Sequence, residues 1–119
     1  DEDKAALGLE NYISAGDIAY LLEKMYNKEL IDEKSSEEMI NILKNQRLNG
    51  KVPFFLQSIK PKVNIAHKTG EDTNITHDVG IVFAKEPFIV CFCGNNVNVP
   101  EYERLMQDIT YDLYKDINF

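Results

Sequence analysis

The stretch His77-Asp78-Val79-Gly80-Ile81-Val82-Phe83-Ala84-Lys85-Glu86-Pro87-Phe88-Ile89-Val90-Cys91-Phe92-Cys93 decides the fold. Val79, Ile81 and Phe83 alternate with Gly80, Val82 and Ala84, the period-two signature of a strand. Lys85-Glu86-Pro87 is a short polar break. Phe88 to Cys93 is apolar on both faces. Two strands joined by so short a turn predict an antiparallel hairpin. Working upstream, Val63, Ile65 and His67 alternate with Asn64, Ala66 and Lys68, which adds a third strand. Between these strands Thr69 to Thr76 is polar and contains Gly70, which predicts a turn there.

Further out, the period changes to that of a helix. Ser14-Ala15-Gly16-Asp17 is a start signal, with Ser14 as cap and Asp17 facing the positive helix end. Ile18, Leu21, Leu22 and Met25 then share one helical face, and Asn27-Lys28 ends it. Ser35 with Glu38 reads as a capping box, and Met39, Ile40, Ile42 and Leu43 carry a second helix to about Gln46. Asn49-Gly50 breaks the pattern. Lys51 to Lys62, with two prolines, predicts a loop with one helical turn around Pro53 to Gln57. Pro100 suits the first turn of a last helix, whose stripe of Tyr102, Leu105, Met106, Ile109 and Leu113 is expected to pack into the core. Ala5, Ala6 and Leu7 within the acidic Asp1 to Glu10 predict at most a terminal helical turn. The order helix, helix, three strands, helix is α+β with an antiparallel three-stranded sheet.

The 119 residues suit a single domain, 1–119. Thirteen Lys and Arg against 20 Asp and Glu give a net charge of −7. That acidity argues against nucleic acid and anionic membranes as partners, since both are held by cations. The longest apolar run, Pro87 to Cys93, is far short of the roughly 20 residues that cross a bilayer, so no membrane insertion is expected in this segment. The first residue is Asp1, which suggests a processed product or a fragment. No basic-then-apolar leader is visible. Cys91 and Cys93 point the same way from one strand, a poor geometry for a disulfide. They read as small apolar packing groups rather than half of a metal site. No cofactor or metal is expected.

The chemistry concentrates in Ala66-His67-Lys68-Thr69-Gly70-Glu71. Lys68 offers a cation, Thr69 a hydroxyl, and Gly70 a backbone that a ligand can approach closely. The combination suits an anionic ligand lying along a strand edge. His67 and His77 fall on the odd-numbered faces of their strands and read as partly buried, hydrogen-bonded structural residues. A base–orienter pair of His77 with Asp78 is disfavoured because adjacent strand side chains point to opposite faces.

Strand-terminal Lys68-Thr69-Gly70 resembles the third motif of the penicillin-recognising serine hydrolases. The similarity continues along the chain. Asn11 to Ala19 resembles the start of the helix after the omega loop in class A β-lactamases, and Ser35 to Ile40 with Leu43 the next helix. Ala66 to Glu71 and His77 to Val82 resemble the two strands beside the active site, and Pro100 to Phe119 the C-terminal helix. The resemblance covers only the C-terminal part of such a fold, the β-lactamase/transpeptidase-like α/β domain. No Ser here has Lys three residues later, and there is no S-D-N triplet; the omega-loop glutamate would lie upstream of Asp1.

The resemblance therefore implies a substrate-binding portion that is inactive alone. Lys68 and Thr69 would hold the carboxylate of a β-lactam or related acyl substrate. Gly70 would let the substrate lie against the strand, and the backbone N–H of Glu71 would be one of two oxyanion donors. Glu71-Asp72 stand where many members have small residues, and would repel an anionic substrate unless their side chains point away. Val79 stands at about the position of a carboxylate-pairing arginine, for which Arg47 or Lys51 is a possible substitute. The resemblance also implies a secreted or cell-envelope location. The alternative is a non-catalytic ligand-binding or oligomerising module. Because Phe88 to Cys93 is apolar on both faces yet has one evident partner strand, either a homodimer or pairing with an N-terminal segment is expected to cover its other edge.

Overall fold

The computed structural model describes residues 12–119; the expected turn at Ala5 to Leu7 lies outside them. Helix α1 spans Ala15–Tyr26, with Ser14 as N-cap accepting from the Asp17 N–H at 3.0 Å, as its sequence indicates. Helix α2, Glu33–Lys44, starts earlier than the Ser35–Glu38 box suggests. Asp32 is its cap, accepting from the Ser35 N–H at 2.7 Å. Ser36 is instead fully buried, and its hydroxyl bonds both the N–H and the C=O of Leu30. A carboxylate one turn upstream outcompetes the hydroxyl because it is the stronger acceptor at the positive helix end.

A short 3₁₀ turn, Phe54–Leu56, interrupts the proline-containing loop. Then come β1 (Asn64–Asp72), β2 (Ile75–Phe83) and β3 (Phe88–Asn95), antiparallel in the order β1-β2-β3. The polar Thr69 to Thr76 stretch is not a turn: β1 and β2 run through it. Only Thr73 and Asn74 turn the chain, Asn74 with a φ of 56°. Ladder hydrogen bonds tolerate polar side chains at an exposed sheet end, which the apolar alternation could not reveal. Helix α3, Val99–Asn118, has Asn98 as cap and Pro100 in its first turn.

The sheet is covered on both faces. On one, Met25, Ile40 and Ala66 join α1 and α2 to the strands. On the other, Ile65, Val82 and Val90 pack with Val52, Leu56 and Tyr114. The expected α3 stripe is corrected here. The buried line is Met106, Thr110 and Tyr114, while Leu105 and Ile109 are 48% and 42% exposed. Helix neighbours four apart form a ridge along one face. A sheet of three strands lies under that ridge and leaves the flank of the helix uncovered.

Candidate functional site

Site geometry follows from the phase of the β1–β2 ladder. The two-residue turn makes Asp72 and Ile75 the closing pair of the hairpin, and such a closing pair exchanges both its hydrogen bonds. Counting back, Gly70 with His77 and Lys68 with Val79 are also hydrogen-bonded pairs. Glu71 and Thr69 are not. Their N–H and C=O groups point away from β2, toward the open edge of the sheet. Crowding at Gly80 supports this phase. It pairs with His67, and a Cβ on it would lie 2.6 Å from the Ala66 oxygen and 2.7 Å from the His67 Cβ. Non-hydrogen-bonded pairs bring two strands closest together, and at this one only glycine fits.

Lys68 is exposed and its ammonium donates to the outward-facing carbonyl of Thr69. A cation and the outward N–H of Glu71 therefore stand along one strand edge. Gly70 faces His77: a Cβ there would be 3.3 Å from the imidazole Cδ2. Lys68, Gly70, His77, Val79, Cys93 and Ile18 are among the residues lining a cavity of about 680 Å³ beside this edge. Thr69 differs from its neighbours. Its hydroxyl is buried and has no hydrogen-bond partner, so the edge presents its main chain. A larger groove of about 820 Å³ runs between α1 and α2, far from Lys68. Both of its lysines are engaged, Lys28 with Glu37 at 3.2 Å and Lys44 over the Phe83 ring.

The two carboxylates that threatened an anion site are both drawn away. The Glu71 Oε1 accepts from Lys51 Nζ at 2.8 Å, and this hydrogen bond holds its carboxyl below the usual glutamate range. Asp72 accepts from the N–H of Thr73 at 2.7 Å, inside the turn. Lys51 is thereby removed as a substitute for the missing arginine, because its charge is spent on Glu71 and Glu103. Arg47 is exposed and takes no part in the hydrogen bonds or ion pairs found among the described residues. Val79 leaves that wall of the cavity apolar.

The histidines part company. Odd residues of β1 share a face with even residues of β2, so His67 and His77 lie on opposite faces of the sheet. His67 is buried: its Nδ1 donates to Asp78 Oδ1 at 2.8 Å, and its Nε2 lies 3.1 Å from the side-chain oxygen of Asn49. Asp78 Oδ2 accepts from the Val52 N–H at 2.9 Å. Asp78 thus serves His67, not the adjacent His77. One signal for this pair was available: a carboxylate on the Gly80, Val82 core face needs a buried partner. His77 is only half-buried, and its Nδ1 is without a partner.

Cys91 and Cys93 are free, and burial pushes the Cys91 thiol up to about 11 and the Cys93 thiol upward as well. Neither has the depressed pKa of a nucleophile. Among the described residues no three His, Cys, Asp or Glu side chains gather as a metal site would require, and no helix is long and apolar enough to cross a membrane.

The family model described as "Beta-lactamase enzyme family" matches residues 2–117. The chain belongs to the β-lactamase enzyme family. Solved structures with the same fold include a β-lactamase from Sphaerobacter thermophilus (TM-score 0.79, 20% identity), which matches over 87% of this chain and 40% of its own. A β-lactamase from Chitinophaga pinensis gives 0.74 and 20%, over 99% of this chain and 48% of its own. The penicillin-binding protein PBP-A gives 0.73 and 20%, over 98% and 49%. No curated protein matches. The chain thus spans less than half of each of these β-lactamase-family structures.

Proposed function

We propose that the chain is the C-terminal, substrate-binding portion of a serine β-lactamase-like hydrolase that works through an acyl-enzyme. The observation that carries this reading is the pairing of an exposed ammonium, Lys68, with an outward-facing amide, Glu71 N–H, on one open edge of the sheet. A carboxylate on the substrate would meet the cation, and the oxygen of the attacked carbonyl would meet the amide. Both groups are hydrogen-bond donors fixed before any ligand arrives, which is what stabilisation of a developing oxyanion requires. Gly70 keeps the strand flat enough for the ligand to lie on it. Thr69 has a hydroxyl with a hydrogen bond to give, and that hydroxyl must turn to reach the edge. The relative solved as an acyl-enzyme complex with penicillin G is a variant of PBP-A, which makes a β-lactam the first probe to try.

Within the 119 residues no serine has a lysine three residues on, so the nucleophile and its base must come from outside them. The isolated chain is expected to stay unmodified by a fluorescent penicillin, as read by intact mass. The full-length protein is expected to gain one penicilloyl group. A stoichiometric adduct on the isolated chain, or none on the full-length protein, would overturn the reading.

A further inference from the structure

Lys51 lies outside every motif of the sequence and is nevertheless the most heavily engaged side chain near the open edge. It comes from the loop before the 3₁₀ turn, and its side chain is only 10% exposed. Its ammonium reaches Glu71 Oε1 at 2.8 Å, the His77 carbonyl at 3.3 Å, the Gly70 carbonyl at 3.5 Å and Glu103 Oε2 at 3.6 Å. Glu103 is itself held, accepting from the Thr76 hydroxyl at 2.7 Å. One cation thus ties the far ends of β1 and β2 to α3.

The Gly70 carbonyl belongs to the same peptide unit as the Glu71 N–H. That unit is planar and trans, so its C=O and N–H point in opposite directions. Gly70 C=O points into the ladder, and Glu71 N–H therefore points out of it. Fixing the oxygen from within fixes the direction of the hydrogen at the edge. A cation at the oxygen also draws electron density from the amide, and hydrogen bonds in such a chain strengthen one another. The Lys51–Glu71 pair holds the same residue a second time, through its side chain.

We propose that Lys51 is a positioning residue for the Glu71 amide, orienting and polarising the Gly70–Glu71 peptide so that its N–H is a better donor to a developing oxyanion. The proposal rests on the acyl-enzyme reading above. Removing an oxyanion donor outright costs about 10²–10³-fold in rate. A donor that is kept but loosened should cost less, roughly 10–100-fold.

The test compares Lys51→Met, Lys51→Arg and the unaltered full-length protein with a fluorescent penicillin. Lys51→Met is expected to slow acylation roughly 10–100-fold, while the dissociation constant of the non-covalent complex moves less than about threefold. Lys51→Arg is expected to recover most of the rate. In parallel, the Glu71 amide resonance and its hydrogen exchange are followed without ligand, and should change in Lys51→Met but not in Lys51→Arg. Rate and amide both unmoved in Lys51→Met would overturn the proposal. So would losses of rate and affinity that simply track the melting temperature. Should Lys51→Met not fold, Lys51→Gln is read by the same criteria. If the unaltered protein is not acylated, the acyl-enzyme reading falls, and the amide measurement alone then decides whether Lys51 sets that peptide.

Discussion

The two edges of the sheet are built from opposite materials. The β1 edge is polar: Lys68 donates to the Thr69 carbonyl, Glu71 offers an amide, and the flanking carboxylates are tied back by Lys51 and by the turn. The β3 edge runs through Phe88, Ile89, Val90, Cys91, Phe92 and Cys93, and no strand among the described residues pairs with its outer side. The flank of α3 adds exposed Leu105 and Ile109. An edge that keeps charges and unpaired donors in water can wait for a small ligand. An apolar edge cannot stay bare without risking association. On the proposed reading, one edge serves reversible binding and the other calls for permanent cover.

The largest effect expected from this contrast is assembly. The isolated chain should pair through β3 with a second copy, because a symmetric dimer closes the apolar edge without making a new one. Dimers at low micromolar concentration correspond to about 8 kcal/mol of association free energy. Light scattering across that range measures it. A monodisperse monomer would erase the contrast between the edges.

Between the edges lies a buried polar hub. Asp78 is fully buried and serves two donors, His67 Nδ1 and Val52 N–H. Asp78→Ala leaves both without an acceptor, and should cost about 3–5 kcal/mol in chemical unfolding. Asp78→Asn retains an acceptor and should lose less. Equal losses in the two variants would mean that the carboxylate matters only by filling space.

Much of this architecture was legible in the sequence. Period-two alternation marked β1 and β2, a run apolar on both faces marked β3, and Ser14, Pro53, Pro100 and the turn at Lys85 to Pro87 marked breaks and starts. Lys68-Thr69-Gly70 marked the candidate site. What stayed hidden has a common physical cause. Ladder phase, the engagement of Lys51 and the His67–Asp78 pair all depend on register between strands, and a one-residue slip reverses every face. The α3 stripe misled for a related reason: periodicity reports which side chains are apolar, while burial depends on how wide the neighbouring sheet is.

On the polar edge, Lys68→Ala in the full-length protein should slow acylation by about 1.5–3 kcal/mol, the range for a hydrogen bond to a charged group. His77→Ala removes a ring that packs on Gly70 from the neighbouring strand, and should act mainly on stability. Acylation rates compared at matched thermal stability separate the two. A larger loss for His77→Ala would move the ligand from the edge to the cavity face.

The smallest expected effect tests whether the polar edge is held by charge. Lys51 holds the Glu71 carboxyl below the usual glutamate range in the folded state. A carboxyl whose pKa is lowered by folding stabilises the fold above its unfolded pKa, and that contribution disappears as the pH falls through the folded value. The Glu71 side chain is 53% exposed, so solvent screens the pair and the contribution should stay under about 1 kcal/mol. Glu71→Gln should therefore unfold at slightly lower urea than the unaltered protein at pH 7, with the gap closing on acidification below the ordinary carboxylate range. High salt should narrow the gap at pH 7 as well. A gap that persists undiminished in acid would show that Glu71 holds the edge by packing or by neutral hydrogen bonding. The tie from Lys51 to the strand would then run through the Gly70 and His77 carbonyls alone.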